Sequence, residues 1–383
     1  MPRLNGGIVG VSNRPNFSAS QGIWTLGDIE NSRRIGQWPL ALSTTAFSVV
    51  SGSSPYMNNY SWSDSTGFGT RYSNPAVLPA NGLMDVKFSP AGDAMIVAQA
   101  TTSPYIVAYK WSSNGFGTKY ADPSTVAAGS GASVAINPSG TAVLLGHSTT
   151  PFISAYAWSS TTGFGTKYSN PSSTIPSAGD GVIFNPTGSV AAATHSVSPF
   201  VSAYQWSDTT GFGTKYASPV TALPSGVYYS PTFSPNNDVV AVSCALSSPY
   251  VFAYTWSDLS GFGTRYSNPS TAPTGTGYGV RFKQDGSVIT VTHGTTPFIS
   301  VYPWTTASGF GTKYSNPTTL PTSDGDTAMF SPSGSAMIVS HSSSPYVTAY
   351  PWSNASGFGT KYANPATLPN QHSRGLDITT VTS

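Results

Sequence analysis

The sequence predicts an all-β protein, a seven-bladed β-propeller with four-stranded blades, closed by its C-terminal strand and preceded by a short arm. One nine-residue motif, GFGTKYSNP, occurs seven times in identical or closely related form. The copies are spaced by 48, 48, 48, 50, 48 and 48 residues and begin at Gly67, Gly115, Gly163, Gly211, Gly261, Gly309 and Gly357. Such regular spacing indicates one supersecondary unit repeated along the chain. Only 8% of residues are charged, and the abundance of Gly, Thr, Tyr and Val favours strands over helices.

Each unit is expected to contain four short strands. The unit from Gly325 to Pro365 reads GDTAMFSPSG, SAMIVSHSSS, PYVTAYPWS and GFGTKYANP, with every piece bounded by Gly, Pro, Ser or Asn. The SPSG segment at Ser331 has proline early and glycine late, as a tight turn prefers. Apolar residues on both faces of PYVTAYPW predict a sheet that is covered on both sides. Seven such sheets favour face-to-face packing around a central axis.

The two chain ends are predicted to complete one blade together. The first unit begins with AFSVVSGS at Ala46 and lacks the GVxFSP strand that opens the other units. The final segment, RGLDITTVT from Arg374, resembles that missing strand and has no strands after it. A ring closed in this way has no exposed terminal repeat. We therefore expect residues 46–383 to form the propeller and residues 1–45 to form the arm.

The unit resembles that of the WD-repeat propellers over about residues 45–383. The resemblance lies in the pattern VxFSPxG, a short apolar strand, and a strand that ends in an aromatic residue, any residue and Trp. It implies that GVxFSP is the innermost strand of each blade and GFGT[KR]Y the outermost. The chain departs from the family because Trp-Ser, as at Trp158 and Ser159, replaces Trp-Asp, and the hydrogen-bonded Asp after the second strand is missing. The blades are therefore expected to be held together by aromatic packing.

Four histidines raise the question of a metal site, because each lies four residues before a proline: His147, His195, His293 and His341. Equivalent positions on neighbouring blades are too far apart to share one ion unless they line the axis. We expect a polar contact in the turn between the second and third strands, and predict neither a metal nor a cofactor. The single Cys244 is expected to be a small packed residue.

A ring of cations is predicted along the outer strands, where one basic residue follows each GFGT: Arg71, Lys119, Lys167, Lys215, Arg265, Lys313 and Lys361. One interpretation is a belt that binds an anionic surface, such as lipopolysaccharide or another virion protein. The other is protection of an exposed strand edge against pairing with another chain. The seven Trp residues of the repeats could stack on sugars, but their alternation with strand Tyr residues favours the core.

Enzymatic chemistry finds little support in the sequence. Asp180, Asp324 and Asp326 precede inner strands and would lie near one mouth of the channel. A glycosidase needs a pair of carboxylates in a cleft, whereas aspartate is also common in turns. There is no nucleophile elbow, phosphate-binding loop or spaced metal-binding set. We predict that the chain is not an enzyme and has no catalytic residues.

The N-terminal arm does not share the repeat. Its segment TLGDIENSRRIG predicts a short helix, with Thr25 as the N-cap, acidic residues early and arginines late. So short a segment cannot bury a core of its own, so it is expected to dock on a surface. The residues predicted to bind a partner are Trp24, Leu26, Arg33, Arg34 and Trp38.

The segment Gly22 to Pro39, with GIWTL before a later Trp-Pro and NRPNFSAS ahead of it, resembles a short segment of tail-fibre and other structural proteins of tailed bacteriophages. The resemblance implies a non-enzymatic virion component, associated with the tail and attached through the arm. Other virion proteins would be its partners, and the particle would set its oligomeric state. The alternatives are a carbohydrate-binding propeller for a host-surface glycan and, less favoured, a polysaccharide-degrading enzyme.

Net charge and hydropathy narrow the partners and the location. The net charge of +2, without a basic tail, makes nucleic acid an unexpected partner. No run of about 18 apolar residues is present, so no membrane insertion is expected. The first residues lack the apolar stretch of a signal peptide, so synthesis in the host cytoplasm followed by release within the virion is expected.

Overall fold

In the computed structural model, residues 43–382 are described, and all of their regular elements are β-strands. Residues Thr44–Val381 form one compact unit. The predicted arm, its helix and its five partner-binding residues lie outside the described range, apart from the last residues before Ala46, which belong to the first strand. No part of the described chain forms a helix that could cross a membrane.

The strands follow one another in chain order: β1 (Ser43–Ser51), β2 (Met57–Ser63), β3 (Gly67–Arg71), β4 (Leu83–Phe88), β5 (Ala94–Gln99), β6 (Ile106–Ser112), β7 (Gly115–Lys119), β8 (Gly131–Ile136), β9 (Ala142–His147), β10 (Ile153–Ser159), β11 (Gly163–Lys167), β12 (Gly181–Phe184), β13 (Val190–Thr194), β14 (Val201–Ser207), β15 (Gly211–Lys215), β16 (Tyr228–Phe233), β17 (Val239–Cys244), β18 (Val251–Ser257), β19 (Gly261–Arg265), β20 (Gly277–Phe282), β21 (Val288–His293), β22 (Ile299–Thr305), β23 (Gly309–Phe310), β24 (Gly325–Phe330), β25 (Ala336–His341), β26 (Val347–Ser353), β27 (Gly357–Phe358) and β28 (Ser373–Thr382).

These strands form seven four-stranded antiparallel sheets, which confirms the predicted propeller. Six sheets consist of four consecutive strands, from β4–β7 as blade 2 to β24–β27 as blade 7. Blade 1 has the order β28-β1-β2-β3, so the C-terminal strand completes the blade that the first strand begins, as predicted. The first strands of neighbouring blades contact one another, for example β4 with β8 and β16 with β20, which places them around the axis.

The repeated motif builds the contact between one blade and the next. Gly163, its first residue in blade 3, has φ +86, and a Cβ there would lie 2.9 Å from the Tyr120 ring of blade 2. Glycine is therefore required for both conformation and space. The ring of Tyr168, from the same copy of the motif, packs edge-on against Trp206 of blade 4 at 5.0 Å, and its hydroxyl donates to the Asp208 carbonyl at 2.6 Å.

This contact between a motif Tyr and the next blade's Trp occurs at all seven junctions, with ring centroids 4.9–5.5 Å apart. The seven Trp side chains are only 4–6% exposed. The core assignment of the Trp residues and the aromatic packing between blades are both confirmed.

Carboxylates add a second link between blades that the sequence did not predict. Asp208, two residues after Trp206, accepts hydrogen bonds from Trp206 Nε1 at 2.8 Å and, across the junction, from Asn137 Nδ2 at 2.8 Å and Thr141 Oγ1 at 2.7 Å. Asp258 and Asp64 make equivalent bonds at their own junctions. Aromatic packing is thus supplemented by charge-assisted hydrogen bonds, which are stronger than neutral ones.

The direction of this hydrogen bond is reversed between blades 5 and 6, where the turn of the preceding blade already carries a carboxylate. In blade 5 the turn residue is Asp238, and blade 6 has Thr306 instead of aspartate two residues after its Trp. Thr306 Oγ1 donates to Asp238 Oδ2 at 2.8 Å. At these four junctions one carboxylate therefore accepts from hydroxyl or amide donors of the adjacent blade.

The four repeated histidines make a polar contact within their blades, as expected. Each lies at or next to the end of the second strand, is fully buried, and has Nε2 2.9–3.0 Å from a hydroxyl on the third strand. The pairs are His147 with Ser154, His195 with Ser202, His293 with Ser300 and His341 with Thr348. Burial lowers the pKa of each imidazole to about 4, so the rings are neutral at pH 7. Cys244, at the equivalent place in blade 5, is buried as predicted.

Candidate active site

A pocket of about 320 Å³ lies at the axis, where the inner strands begin. In five inner strands a β-bulge interrupts pairing with the second strand. Bulges redirect side chains next to binding sites. The unpaired residues all line the pocket, namely Met84, Ala132, Tyr229 with Ser230, Tyr278 and Asp326. Asp180 before β12 and Arg374 in β28 complete the ring, so every blade contributes.

His372 and Asp326 form an ionisable pair in this pocket. Nε2 of His372, just before the closing strand β28, lies 2.5 Å from Asp326 Oδ2 on β24. Burial raises the pKa of Asp326, and the bond from His372 opposes that effect. Nδ1 of His372 has no hydrogen-bond partner among the described residues, and the ring lines the pocket. An imidazole held by a carboxylate with its other nitrogen free can accept a proton.

Two arginines place positive charge in the same pocket. Arg374 Nη1 lies 2.7 Å from Met84 Sδ, and Arg281 Nη1 lies 3.5 Å from the Pro231 carbonyl oxygen. Neither guanidinium forms a salt bridge with a carboxylate within residues 43–382. Both remain able to bind an anion or a developing oxyanion.

Two further aspartates of the pocket differ in their surroundings. Asp85 is fully engaged, because Oδ1 lies 2.7 Å from Lys87 Nζ and Oδ2 accepts from Ser133 Oγ at 3.0 Å and from the Val134 amide at 3.1 Å. The Asp180 carboxylate accepts no hydrogen bond from the described chain, and burial raises its pKa to about 6. Asp85 joins blades 2 and 3, whereas Asp180 is free to act on a ligand or a proton.

Of the three aspartates considered from the sequence, Asp180 and Asp326 share the pocket, although they belong to blades 4 and 7. Asp324 is not among the lining residues, and its backbone carbonyl accepts from the Ser342 amide at 3.2 Å. The sequence reasoning missed His372, the two arginines and the two tyrosines. One signal was available, because one pocket-lining residue of each blade lies 17 residues after a motif glycine, or 18 in blade 5: Met84, Ala132, Asp180, Tyr229, Tyr278, Asp326 and Arg374.

The predicted cations lie on or just after the fourth strands and are half-buried. Six of them reach an Asn or Asp three residues later, as Lys167 Nζ does with Asn170 Oδ1 at 2.7 Å and Arg265 Nη2 with Asn268 Oδ1 at 2.9 Å. Burial lowers the pKa of four of the lysines. These bonds fix the turn that follows the fourth strand. Binding of an anionic partner at the rim stays a prediction. No group of three or more His, Cys, Asp or Glu within residues 43–382 could hold a metal ion.

Comparison with known proteins by sequence gives no match for this chain. No protein-family model matches the chain, and no curated protein matches it by sequence. The resemblance to WD-repeat proteins thus extends to the architecture but is not supported by a family match.

Solved structures similar to this one include candidate 6-phosphogluconolactonases from Bacteroides uniformis (14% identity, TM-score 0.68, 88% of this chain and 99% of that chain) and Bacteroides fragilis (11%, 0.68, 88% and 98%). The periplasmic gluconolactonase of Pseudomonas aeruginosa is also similar (14%, 0.65, 89% and 99%). At these identities the likeness establishes the fold alone. None of the three is a bacteriophage protein.

The expectation that the chain is not an enzyme is corrected, because structures named as lactonases share its architecture and the fold gives no ground for excluding enzymatic activity. The absence of a linear catalytic motif was poor evidence against activity. In a propeller the ionisable groups of one site come from different blades, as His372 and Asp326 do here.

Proposed function

We propose that the protein is a hydrolase that opens an ester or lactone bond of a small polar molecule in the axial pocket. The observation that carries this proposal is the His372–Asp326 pair in a pocket that is also lined by Arg374 and Arg281, neither of which forms a salt bridge within residues 43–382. A volume of about 320 Å³ is within the range of small-molecule sites.

The chemistry follows from the roles of these groups. His372 Nδ1 takes a proton from water, and the water oxygen attacks the carbonyl carbon of the substrate. Arg374 and Arg281 stabilise the resulting oxyanion. Collapse of the tetrahedral intermediate breaks the acyl–oxygen bond, and the leaving oxygen receives the proton from His372. A lactone thus becomes a hydroxy acid, while Asp326 keeps the imidazole oriented throughout.

Neighbouring structures support the proposal without carrying it, because one fold hosts many activities. Proteins named as a lactonase or a candidate lactonase share this architecture, which supports the proposal. The assignment to this chain rests on its own pocket.

The proposal is tested by measuring hydrolysis of D-glucono-1,5-lactone in a pH-stat and of p-nitrophenyl acetate by absorbance. His372→Gln and Asp326→Asn are expected to lower kcat by about 100-fold or more, the usual contribution of a positioned general base. Asp324→Asn, two residues away but outside the pocket, is the matched control and should leave kcat unchanged. The proposal would be refuted if kcat of His372→Gln and Asp326→Asn equalled that of the native chain and the control, or if the native chain turned over neither compound.

A place in a bacteriophage particle stays a separate prediction, supported by the resemblance of residues 22–39 and by the non-repeating arm. Under it, the arm would attach the propeller to other virion proteins. Deletion of residues 1–45 should then give a folded propeller that is absent from purified particles. Normal incorporation of the truncated chain would contradict this role.

A further inference from the structure

We infer that the axial pocket binds a six-membered sugar ring, which stacks its apolar face on Tyr229 with Tyr278 behind it. This inference rests on the proposed function only in placing the reacting bond of that sugar beside His372. The tyrosines themselves define a binding subsite whether or not turnover occurs.

The tyrosines form an aromatic wall on one side of the pocket. Tyr229 and Tyr278 come from the bulges of blades 5 and 6, and their ring centroids lie 5.7 Å apart with an interplanar angle of 33°. Tyr229 keeps 37% of its surface exposed, while Tyr228, its neighbour in sequence, is fully buried in the core. A large exposed ring that lines a cavity is suited to stacking on a ligand, since its apolar face is otherwise left in water.

Tyr229 lines the pocket because of the bulge in blade 5. In the four other bulged inner strands one residue is extra relative to the second strand, as Tyr278 is between Gly277 and Gly279. In blade 5 pairing passes from Tyr228–Cys244 to Pro231–Val242, so two residues of β16 lie opposite the single Ser243 and the shift is again one residue. The Ser230 amide donates to Ser243 Oγ at 3.1 Å, which leaves Tyr229 as the bulged residue that lines the pocket.

Carboxylates flank this wall on both sides. Asp180 of blade 4 lies beside Tyr229, and Asp326 of blade 7 lies beside Tyr278 in the order of the ring. Sugar rings present apolar C–H faces and hydroxyl donors around their edge, so an aromatic surface between acceptors matches both features. A flat aromatic ligand would satisfy the tyrosines but would leave the Asp180 carboxylate without donors.

Binding and turnover separate this inference from the proposed function. Binding of methyl β-D-glucopyranoside would be measured by saturation-transfer NMR, together with KM for D-glucono-1,5-lactone and for ethyl acetate, an acyclic ester without an aromatic ring, both followed in a pH-stat. Tyr229→Ala should weaken sugar binding and raise KM for the lactone by about tenfold. It should leave KM for the acyclic ester unchanged, while Tyr229→Trp should preserve both. Leu246→Ala, also exposed and in blade 5, is the control and should change neither.

The outcomes are distinct. Sugar binding that is lost in Tyr229→Ala, without turnover of any ester, supports the inference and overturns the proposed function. Lactone turnover whose KM is the same in the native chain and Tyr229→Ala supports the function and overturns the inference. Absence of sugar binding by the native chain also overturns the inference.

Discussion

Acidification below pH 6.5 is expected to destabilise the propeller through its buried histidines. Each of the four repeated imidazoles is fully buried, and burial lowers its pKa from 6.5 to about 4. Because the folded pKa lies below the unfolded one, the unfolded chain binds more protons between these values. The stability is therefore fully present above pH 6.5 and is lost as the pH falls toward 4.

The magnitude can be worked out from these shifts. Between pH 7.5 and 5.5 each histidine removes about 1.4 kcal/mol from the free energy of unfolding, so four remove roughly 5–6 kcal/mol. Asp180 and Asp377 oppose this, because burial raises their pKa to about 6 and their ionisation destabilises the fold as the pH rises. Between pH 7.5 and 5.5, protonation of each aspartate returns roughly 0.8 kcal/mol of the free energy of unfolding. The net loss of about 4 kcal/mol is a large fraction of the stability of a typical domain.

The chain itself supplies the control substitution. Blade 2 carries Gln99 where four of the other blades carry histidine, and Gln99 is equally buried. Glutamine can still bond the facing hydroxyl but does not titrate. The variant with His147, His195, His293 and His341 all changed to Gln should instead gain roughly 1.6 kcal/mol between pH 7.5 and 5.5, since only Asp180 and Asp377 then contribute, as measured by guanidinium unfolding. The same pH dependence in the native chain and the fourfold variant would refute the reasoning.

Two further predictions concern the contacts that hold the ring together. Asp208→Ala removes the acceptor of Trp206, Asn137 and Thr141, and it is expected to cost about 2 kcal/mol of unfolding free energy because the site is partly solvated. Asp208→Asn should cost less. An unchanged denaturant midpoint in the alanine variant would contradict the link between the blades. Deletion of residues 374–383 removes the inner strand of blade 1 and should lower Tm by about 10 °C or more, whereas an unchanged Tm would show that the closing strand contributes nothing.

The number of blades, their four strands and the closure were predictable from the sequence because each depends on local patterns. Turn residues such as those of SPSG at Ser331 act within four positions, and the repeat copies the same strand order seven times. The closing strand could be identified by counting, since the first unit lacked one strand and the last residues supplied it.

The pocket and the links between blades were decided by tertiary structure. Asn137 and Asp208 are 71 residues apart, and Asp326 and His372 are 46 apart, so no linear motif records either pair. Burial, which requires the assembled ring, also sets the pKa of Asp180. The sequence by itself determined the seven sheets, because hydrogen bonding and side-chain alternation along a strand are local. Only the closed ring brought side chains from different blades to one axis, where their distances and shared burial create the candidate chemistry.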